Sequence, residues 1–297
     1  MATHPIPTAD DDALKVGESP SHKNSRPRMS TRNRLLFFLT AWLLVLMPFL
    51  FWWSTWFGRT LTDKEMGEYL NDNVHPRHIQ HAVVQLGQRM SQHDASAARW
   101  YGDLVRLASN SREEVRSTDA WVMGQDPAGS GFHEALLKML DDPSVTVRGN
   151  AALSLVRFGD SSGRAQIVSL LRPVVVATAS AGRVIDAAAA GTAIHQGGLI
   201  AKLQSDDSQI HEVRSPVTGR VRFAPATGAT IAAGASVATI DPGEEQVWEA
   251  LRALYLIGQP EDLPAIRPYE RELPEIPERL RQQAMDTERA IQQRARC

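Results

Sequence analysis

Gly182-Arg183-Val184 returns as Gly219-Arg220-Val221, and the stretch Gly182–Ile240 is written twice at an offset of 37 residues (219 against 182). At the same offset Gly191 matches Gly228, Ile194 matches Ile231, Gly197 matches Gly234 and Ala201 matches Ala238, with no gap. Ungapped self-similarity marks a duplicated structural unit. Each copy reads G-R-V, a loop, G-x-x-I-x-x-G and a short apolar strand. Its glycines stand where tight turns need positive φ or close backbone approach. The apolar positions between them alternate or run short, as in small β elements. The expectation is two interlocking β half-units in one compact barrel or sandwich.

On either side of this stretch the pattern becomes helical. Upstream, Ile79, Val83, Leu86 and Met90 fall at helical spacing, as do Trp100, Leu104 and Leu107. One unit is written clearly: Leu136-Leu137-Lys138-Met139-Leu140-Asp141-Asp142-Pro143, then Val145-Thr146-Val147-Arg148 and Ala151 to Gly159. Asp142-Pro143 is expected to end one helix and start the next, with Pro in the first turn. Gly159 suits the position just past a helix end. The layout resembles a HEAT-type repeat. Fainter copies are Glu114-Val115-Arg116 with Ala120 to Gly124, His78 to Gly87, and Val247 to Gly258 after the β unit. Helix pairs of this sort bury one face each against the next, so the β unit reads as inserted in a short α-solenoid. The alternative is an irregular helical bundle. The segment from Glu278 to Cys297 is highly charged and reads as a solvated helix or a frayed tail.

Toward the N-terminus, Leu35 to Phe57 carries no charge and would rise roughly 34 Å as a helix, enough for a bilayer core of about 30 Å. Pro48 is tolerable in such a helix, and Trp52, Trp53 and Trp56 gather at one end, as interfacial indoles do. A cleaved signal peptide would have a shorter core and a small-x-small exit, which Trp53-Ser54-Thr55-Trp56-Phe57 lacks. Lys23, Arg26, Arg28, Arg32 and Arg34 precede the run, while only Arg59 and Lys64 follow closely. The expectation is an uncleaved anchor with a cytoplasmic N-terminus. In a Gram-negative bacterium the body would lie in the periplasm. The stretch before the run is poor in large apolar residues and expected to be disordered. The net charge of −2 gives no global field for nucleic acid, and the single cysteine, Cys297, excludes an internal disulfide.

Arg214-Ser215-Pro216-Val217-Thr218-Gly219-Arg220-Val221 looks like the [S/A]-P-x-x-G-x-V phrase of biotinyl/lipoyl-type barrel-sandwich hybrids, and the pseudo-symmetry fits. In carrier members of that family a lysine on the hairpin between the halves takes biotin or lipoate. Here Ser208 stands at that position, within Ser205-Asp206-Asp207-Ser208-Gln209, and Lys202 lies on the preceding strand. A hydroxyl cannot form the amide, so the resemblance implies no carrier. The other branch, the periplasmic adaptor or membrane-fusion proteins of efflux pumps and type I secretion, combines a cytoplasmic N-terminus, one membrane helix and a lysine-free unit. This chain departs from it in its short inter-half link and in the helices that follow.

Among chemistry-bearing residues, His75, His78 and His81 come at spacings of three, with His93 beyond, and His78 and His81 could share a helix face toward a metal. The expected role is solvent-facing or helix-start histidine. Gly124 to Gly131 lacks the Lys-Ser/Thr of a phosphate loop and reads as an inter-repeat turn. Asp206-Asp207 reads as a solvated turn. No catalytic, cofactor-binding or metal residue is expected, nor an enzyme. The fold expected is α+β: a tail over 1–34, a membrane helix over 35–57, HEAT-like repeats over 58–172, a barrel-sandwich hybrid over 173–242, a further HEAT-like helix pair over 243–272, and a charged tail or helix over 273–297. The expected function is a membrane-anchored periplasmic adaptor or assembly scaffold. Its partners would be proteins in or near the inner membrane, with the bilayer held through 35–57 and no nucleic acid.

Overall fold

The uncharged run from Leu35 forms a single helix, α1 (Thr31–Trp56), in a computed structural model that describes residues 30–56 and 60–296, with side chains over 30–50 and 60–296. The expected tail lies outside the described residues up to 29, as do Phe57 and the side chains of Trp52, Trp53 and Trp56. The helix starts inside the expected 1–34 tail, because Arg32 and Arg34 are good helix formers. Arg34 N–H donates to Ser30 C=O at 2.9 Å. Thr31–Leu50 has a mean hydropathy of 1.8 and is 0% buried, so among the described residues one helix is long and apolar enough to cross a membrane. Contacts divide the chain into two units, Met1–Arg59 and Thr60–Cys297.

The second unit is mixed helix and sheet. Its helices are α2 (Asp63–Leu70), α3 (Pro76–Ser91), α4 (Tyr101–Leu107), α5 (Glu113–Met123), α6 (Phe132–Met139), α7 (Val145–Arg157), α8 (Arg164–Leu170), α9 (Glu244–Ile257), α10 (Leu263–Ile266) and α11 (Glu278–Arg294). A row of α3, α5, α7, α9 and α11 stacks helix on helix, and α4, α6 and α8 back it. One apolar core runs through the stack from Leu61 to Ile291. The expected spacing of Ile79, Val83, Leu86 and Met90 is one buried stripe of α3.

Side-chain bonds to backbone tie successive helices at a near-constant separation. Asn150 Nδ2 donates to Ser117 C=O (3.0 Å), the buried Ser154 hydroxyl to Ala120 C=O (2.8 Å), and the Thr287 hydroxyl to Leu251 C=O (3.0 Å). The turn before α7 differs from expectation. Pro143 lies outside the helix, and Ser144 is the cap, its hydroxyl accepting from Val147 N–H at 3.3 Å. Asp142 is used twice. It accepts the Ser144 N–H (2.8 Å) and two bonds from Arg116, Nε at 2.6 Å and Nη2 at 2.9 Å. Burial alone would raise the Asp142 carboxyl, but Arg116 and the Ser144 amide hold it below its ordinary range. This ion pair is only 12% and 8% exposed, so each charge needs the other. Gly159 ends α7 as expected, at φ 72°, with Asp160 N–H on Leu155 C=O and Gly159 N–H on Val156 C=O.

The C-terminal part corrects two expectations. Pro260, Pro264 and Pro268 break the second half of 243–272 into short turns around α10, so no helix pair forms there. The partner of α9 is α11, within 273–297, where a frayed tail or a solvated helix is expected: the helix forms, but one face of it is buried. Leu280, Ala284, Thr287 and Ile291 form its buried stripe, narrow enough to hide in a charged composition.

Between α8 and α9 the chain makes eight strands: β1 (Val174–Ala177), β2 (Gly182–Ala187), β3 (Ala193–Ile194), β4 (Leu199–Gln204), β5 (Ile210–Arg214), β6 (Gly219–Phe223), β7 (Thr230–Ile231) and β8 (Ser236–Pro242). They form two four-stranded antiparallel sheets, ordered β1-β8-β6-β3 and β5-β4-β2-β7. Exchanging each strand for the one four places along turns one order into the other. The sequence repeat is therefore a structural two-fold. A second core obeys it: Val176 and Val213, Val184 and Val221, Ile200 and Val237, Ala201 and Ala238, Leu203 and Ile240 are all buried, each pair 37 apart. Turn glycines follow suit, Gly191 and Gly228 at φ 88° and 92°, Gly197 and Gly234 at 76° and 79°. Because β1 pairs with β8, Val174 opposite Ile240, both ends of the β unit leave side by side. The chain then resumes the stack, with α9 on α8 and Gln246 Nε2 donating to Leu170 C=O at 2.9 Å.

Two features generate predictions. A Cβ on Gly219 would lie 2.0 Å from the Asp241 carbonyl oxygen, so this glycine is required by β6–β8 approach; a Cβ on Gly102, in α4, meets nothing within 4 Å. Gly219→Ala is expected to destabilise by about 2 kcal/mol or more, and Gly102→Ala to be neutral or stabilising, by denaturant unfolding. Equal effects would refute the close-approach account. Asp119, on α5, is fully buried, neither carboxyl oxygen has a hydrogen-bond partner among the described residues, and burial pushes its carboxyl well above the ordinary range against a lesser pull from Arg106. Its pKa is raised on folding, so stability is fully present below the unfolded value of 3.8 and falls as pH rises through the folded value. Asp119→Asn removes this titration. The variant should gain on the natural protein as pH rises, by about 1.4 kcal/mol for each unit of displaced pKa. A pH-independent difference between the two would contradict it.

Candidate functional site

The row of α5, α7, α9 and α11 leaves a groove of about 1050 Å³ on its outer face. Small side chains form much of the floor: Gly149, Ser154, Ala253 and Ala290. They are small because the helices approach closely. A Cβ on Gly149 would meet Leu170 Cδ2 at 2.8 Å, and one on Gly124 would meet Ser154 Oγ at 2.4 Å. Large apolar side chains stand along the rim, Trp121 49% exposed, Tyr255 44% and Leu256 61%.

The charges of the groove cancel. Arg157, Arg252 and Arg289 face Glu245, Glu249 and Asp286. Most are matched locally: Arg252 with Glu249 at 3.5 Å, Arg289 with Asp286 at 3.0 Å, and Glu245 with Arg279 at 3.0 Å. Arg279 also lies 3.9 Å over the Trp248 ring. Such a surface, apolar at its rim and neutral in sum, suits a protein segment better than a polyanion. No nucleophile with an adjacent base lies among its lining residues.

The histidines fall elsewhere. His75 precedes α3, Pro76 is its first residue, and His78 lies in its first turn. Both rings turn to Asp72, in the loop after α2, with Nδ1 of His75 at 2.9 Å and Nδ1 of His78 at 2.7 Å from Oδ2. Oδ1 accepts the N–H of Val74 and of His75, both at 3.1 Å. The bond from His78 is the largest influence on the Asp72 carboxyl; with the further bonds from His75 it outweighs desolvation and holds the group low, at about 2. Tyr69 stacks on His78 at 4.3 Å and 11°. His81 takes Gln85 instead, at 2.8 Å. His75 and His78 stand at the helix start as expected; the helix-face arrangement of His78 with His81 does not form, and His75 and His78 meet instead at Asp72, a carboxylate that the sequence reading does not include. The Asp three residues before His75 was the available signal, since a short loop brings Asp72 back over the helix start.

The hairpin residues stand as the sequence implied. Ser208 sits in the β4–β5 turn at φ 64°, with its N–H on Ser205 C=O at 2.9 Å. Asp207 accepts from the Ser205 hydroxyl and from Gln209 N–H, while Asp206 is exposed. Lys202 lies within β4, opposite Glu212 on β5 and Asp186 on β2, away from the turn. Gly124 to Gly131 is the turn into α6, where Asp126 accepts from Ala128 N–H at 3.0 Å.

No family model matches the chain, and no curated protein does. Solved structures similar to it include the designed armadillo repeat protein YIII(Dq)4CqI, 16% identical over 76% of this chain and 80% of that one, at a TM-score of 0.38. Another is the designed armadillo repeat protein YIII(Dq.V1)4CPAF in complex with peptide (KR)4, 17% identical over 77% and 86%, at 0.37. A likeness of this depth carries no argument about fold or function.

Trp121 and Leu256 contribute to the rim, outside the core. The double variant Trp121→Ser/Leu256→Ser should therefore unfold within about 1 kcal/mol of the natural protein, by thermal or denaturant melting. A larger loss would place these side chains in the core of the stack.

Proposed function

We propose that this chain is a non-catalytic, single-pass inner-membrane protein that acts as an adaptor or assembly scaffold, its body binding a protein partner in the periplasm. The observation that carries the reading is the groove along α5, α7, α9 and α11, apolar at the rim and internally neutral. A stacked-helix surface of this kind offers an extended concave contact. The apolar helix α1, preceded by basic residues, supports the anchor and its orientation. The HEAT-like reading is supported by the regular ties between α5 and α7. The exchange of strands between the two sheets supports reading residues 173–242 as a barrel-sandwich hybrid, with Ser208 arguing against a carrier.

The test is site-specific photocrosslinking in intact membranes. A photoreactive residue at Trp121 or Leu256 should trap one protein partner in near-stoichiometric yield, while one at Ile210, exposed on β5, should not. A topology reporter fused after Cys297 should be active in the periplasm. A reporter active only in the cytoplasm would overturn the orientation, and groove positions that trap nothing would overturn the scaffold reading.

A further inference from the structure

We propose that Asp72 Oδ2, His75 Nδ1 and His78 Nδ1 form a binding site for one borderline divalent transition-metal ion, for which Zn²⁺ is the reference ligand. The three ligand atoms lie within 4.8 Å of one another. The inference does not rest on the groove or on the membrane anchor.

The donor set selects the class of ion. Two imidazoles and one carboxylate suit zinc, copper or nickel; magnesium and calcium take oxygen ligands. Both rings present the same nitrogen, Nδ1, to the same oxygen, at 2.9 and 2.7 Å. A tetrahedral ion with bonds of about 2.0–2.1 Å needs its ligand atoms roughly 3.3 Å apart, so each ring nitrogen stands about half an ångström too close to Oδ2 and would withdraw from it on binding. On binding, each neutral ring carries its proton on Nε2 and offers the Nδ1 lone pair.

The ligands are held by partners of their own, as in built metal sites. The Val74 and His75 amides fix Oδ1, and Oδ2 takes the shorter contact from each ring, His75 Nδ1 lying 3.2 Å from Oδ1 as well. Tyr69 fixes the plane of His78 by stacking on it. Pro76 restrains the backbone between the two histidines. The start of α3 carries partial positive charge, which opposes a cation there, and the Asp72 carboxylate offsets it. His75 and His78 side chains are 62% and 42% exposed, so the ion can enter and one or more coordination positions face solvent. Asp72 lies after α2 and both histidines at the head of α3, so the ion would cross-link the first two helices of the second unit.

The test is a ZnCl₂ titration of the full-length, untagged chain in detergent, followed calorimetrically and by thermal melting. Visible absorption on Co²⁺ loading reports coordination. One saturable equivalent is expected, with a rise in melting temperature of roughly 5 °C at a hundredfold excess over Kd, and no response to Mg²⁺ or Ca²⁺. Asp72→Asn, His75→Gln and His78→Gln keep a hydrogen-bonding side chain and should preserve the fold by circular dichroism. Each should weaken Zn²⁺ binding by roughly tenfold or more and abolish the Co²⁺ bands. His133, which pairs with Asp160 at 2.7 Å on other elements, supplies the control: His133→Ala should bind as the natural protein does. The proposal is overturned by absence of a saturable equivalent, by retention of full affinity in the three variants, or by an equal loss in His133→Ala.

Discussion

The structure of the second unit depends on the antiparallel pairing of β1 with β8. An insertion of some seventy residues can interrupt a helical stack only if its two ends meet again at the spacing of neighbouring helices. Val174 opposite Ile240 supplies that condition, with only residues 171–173 between it and the end of α8, and Gly243 then caps α9. With the ends held together, α9 packs on α8 as though nothing lay between. One continuous core therefore runs from Leu61 to Ile291 past the β unit. A looser junction would divide that core in two, with loss of the burial that stabilises both halves.

The β unit meets its own constraint by symmetry. Each sheet takes strands from both halves, so neither half can bury its valines and isoleucines without the other. This explains why the repeat is conspicuous in the sequence. A buried residue in one copy faces the same geometry as its counterpart, and the glycines at Gly191, Gly197, Gly228 and Gly234 recur because the same turns recur. Pairings such as Leu203 with Ile240 could be read from spacing alone. The order of strands could not, since nothing local distinguishes pairing within a half from pairing across halves.

The helical part was legible where an amphipathic stripe is wide and illegible where it is narrow. Ile79 to Met90 declared α3. By contrast α11 buries Leu280, Ala284, Thr287 and Ile291 amid Arg, Glu and Gln, a stripe that charge obscures. Proline misled once in each direction. At Pro143 the helix starts two residues later than expected, at Val145, because the Ser144 hydroxyl caps it and leaves the proline outside. In 260–268 three prolines reduce the second helix of the pair expected over 243–272 to short turns. Of the candidate sites, the histidines were visible and their partner was not, because Asp72 reaches them through a loop. The groove was invisible for a different reason. Its residues come from α5, α7, α8, α9 and α11, spread along the chain from Trp121 to Gln293, and only packing unites them.

The insertion is also tied to the stack away from its ends, and this bears on which surface stays available. Gln196, beyond β3, donates to Glu113 at the head of α5 at 2.7 Å; the Thr146 hydroxyl in the first turn of α7 donates to Pro216 C=O at 3.2 Å; Val145 packs against the β core. The β unit thus rests on the N-terminal ends of α5 and α7, and Glu113 is further held by the Ser144 hydroxyl at 2.7 Å. A unit joined only through two strand ends could swing; one joined also at two helix starts is braced. The sides of α5 and α7 that carry Trp121, Asn150 and Arg157 remain uncovered by it. An insertion that closes over the helix ends in this way leaves their flanks, and the groove between them, bare.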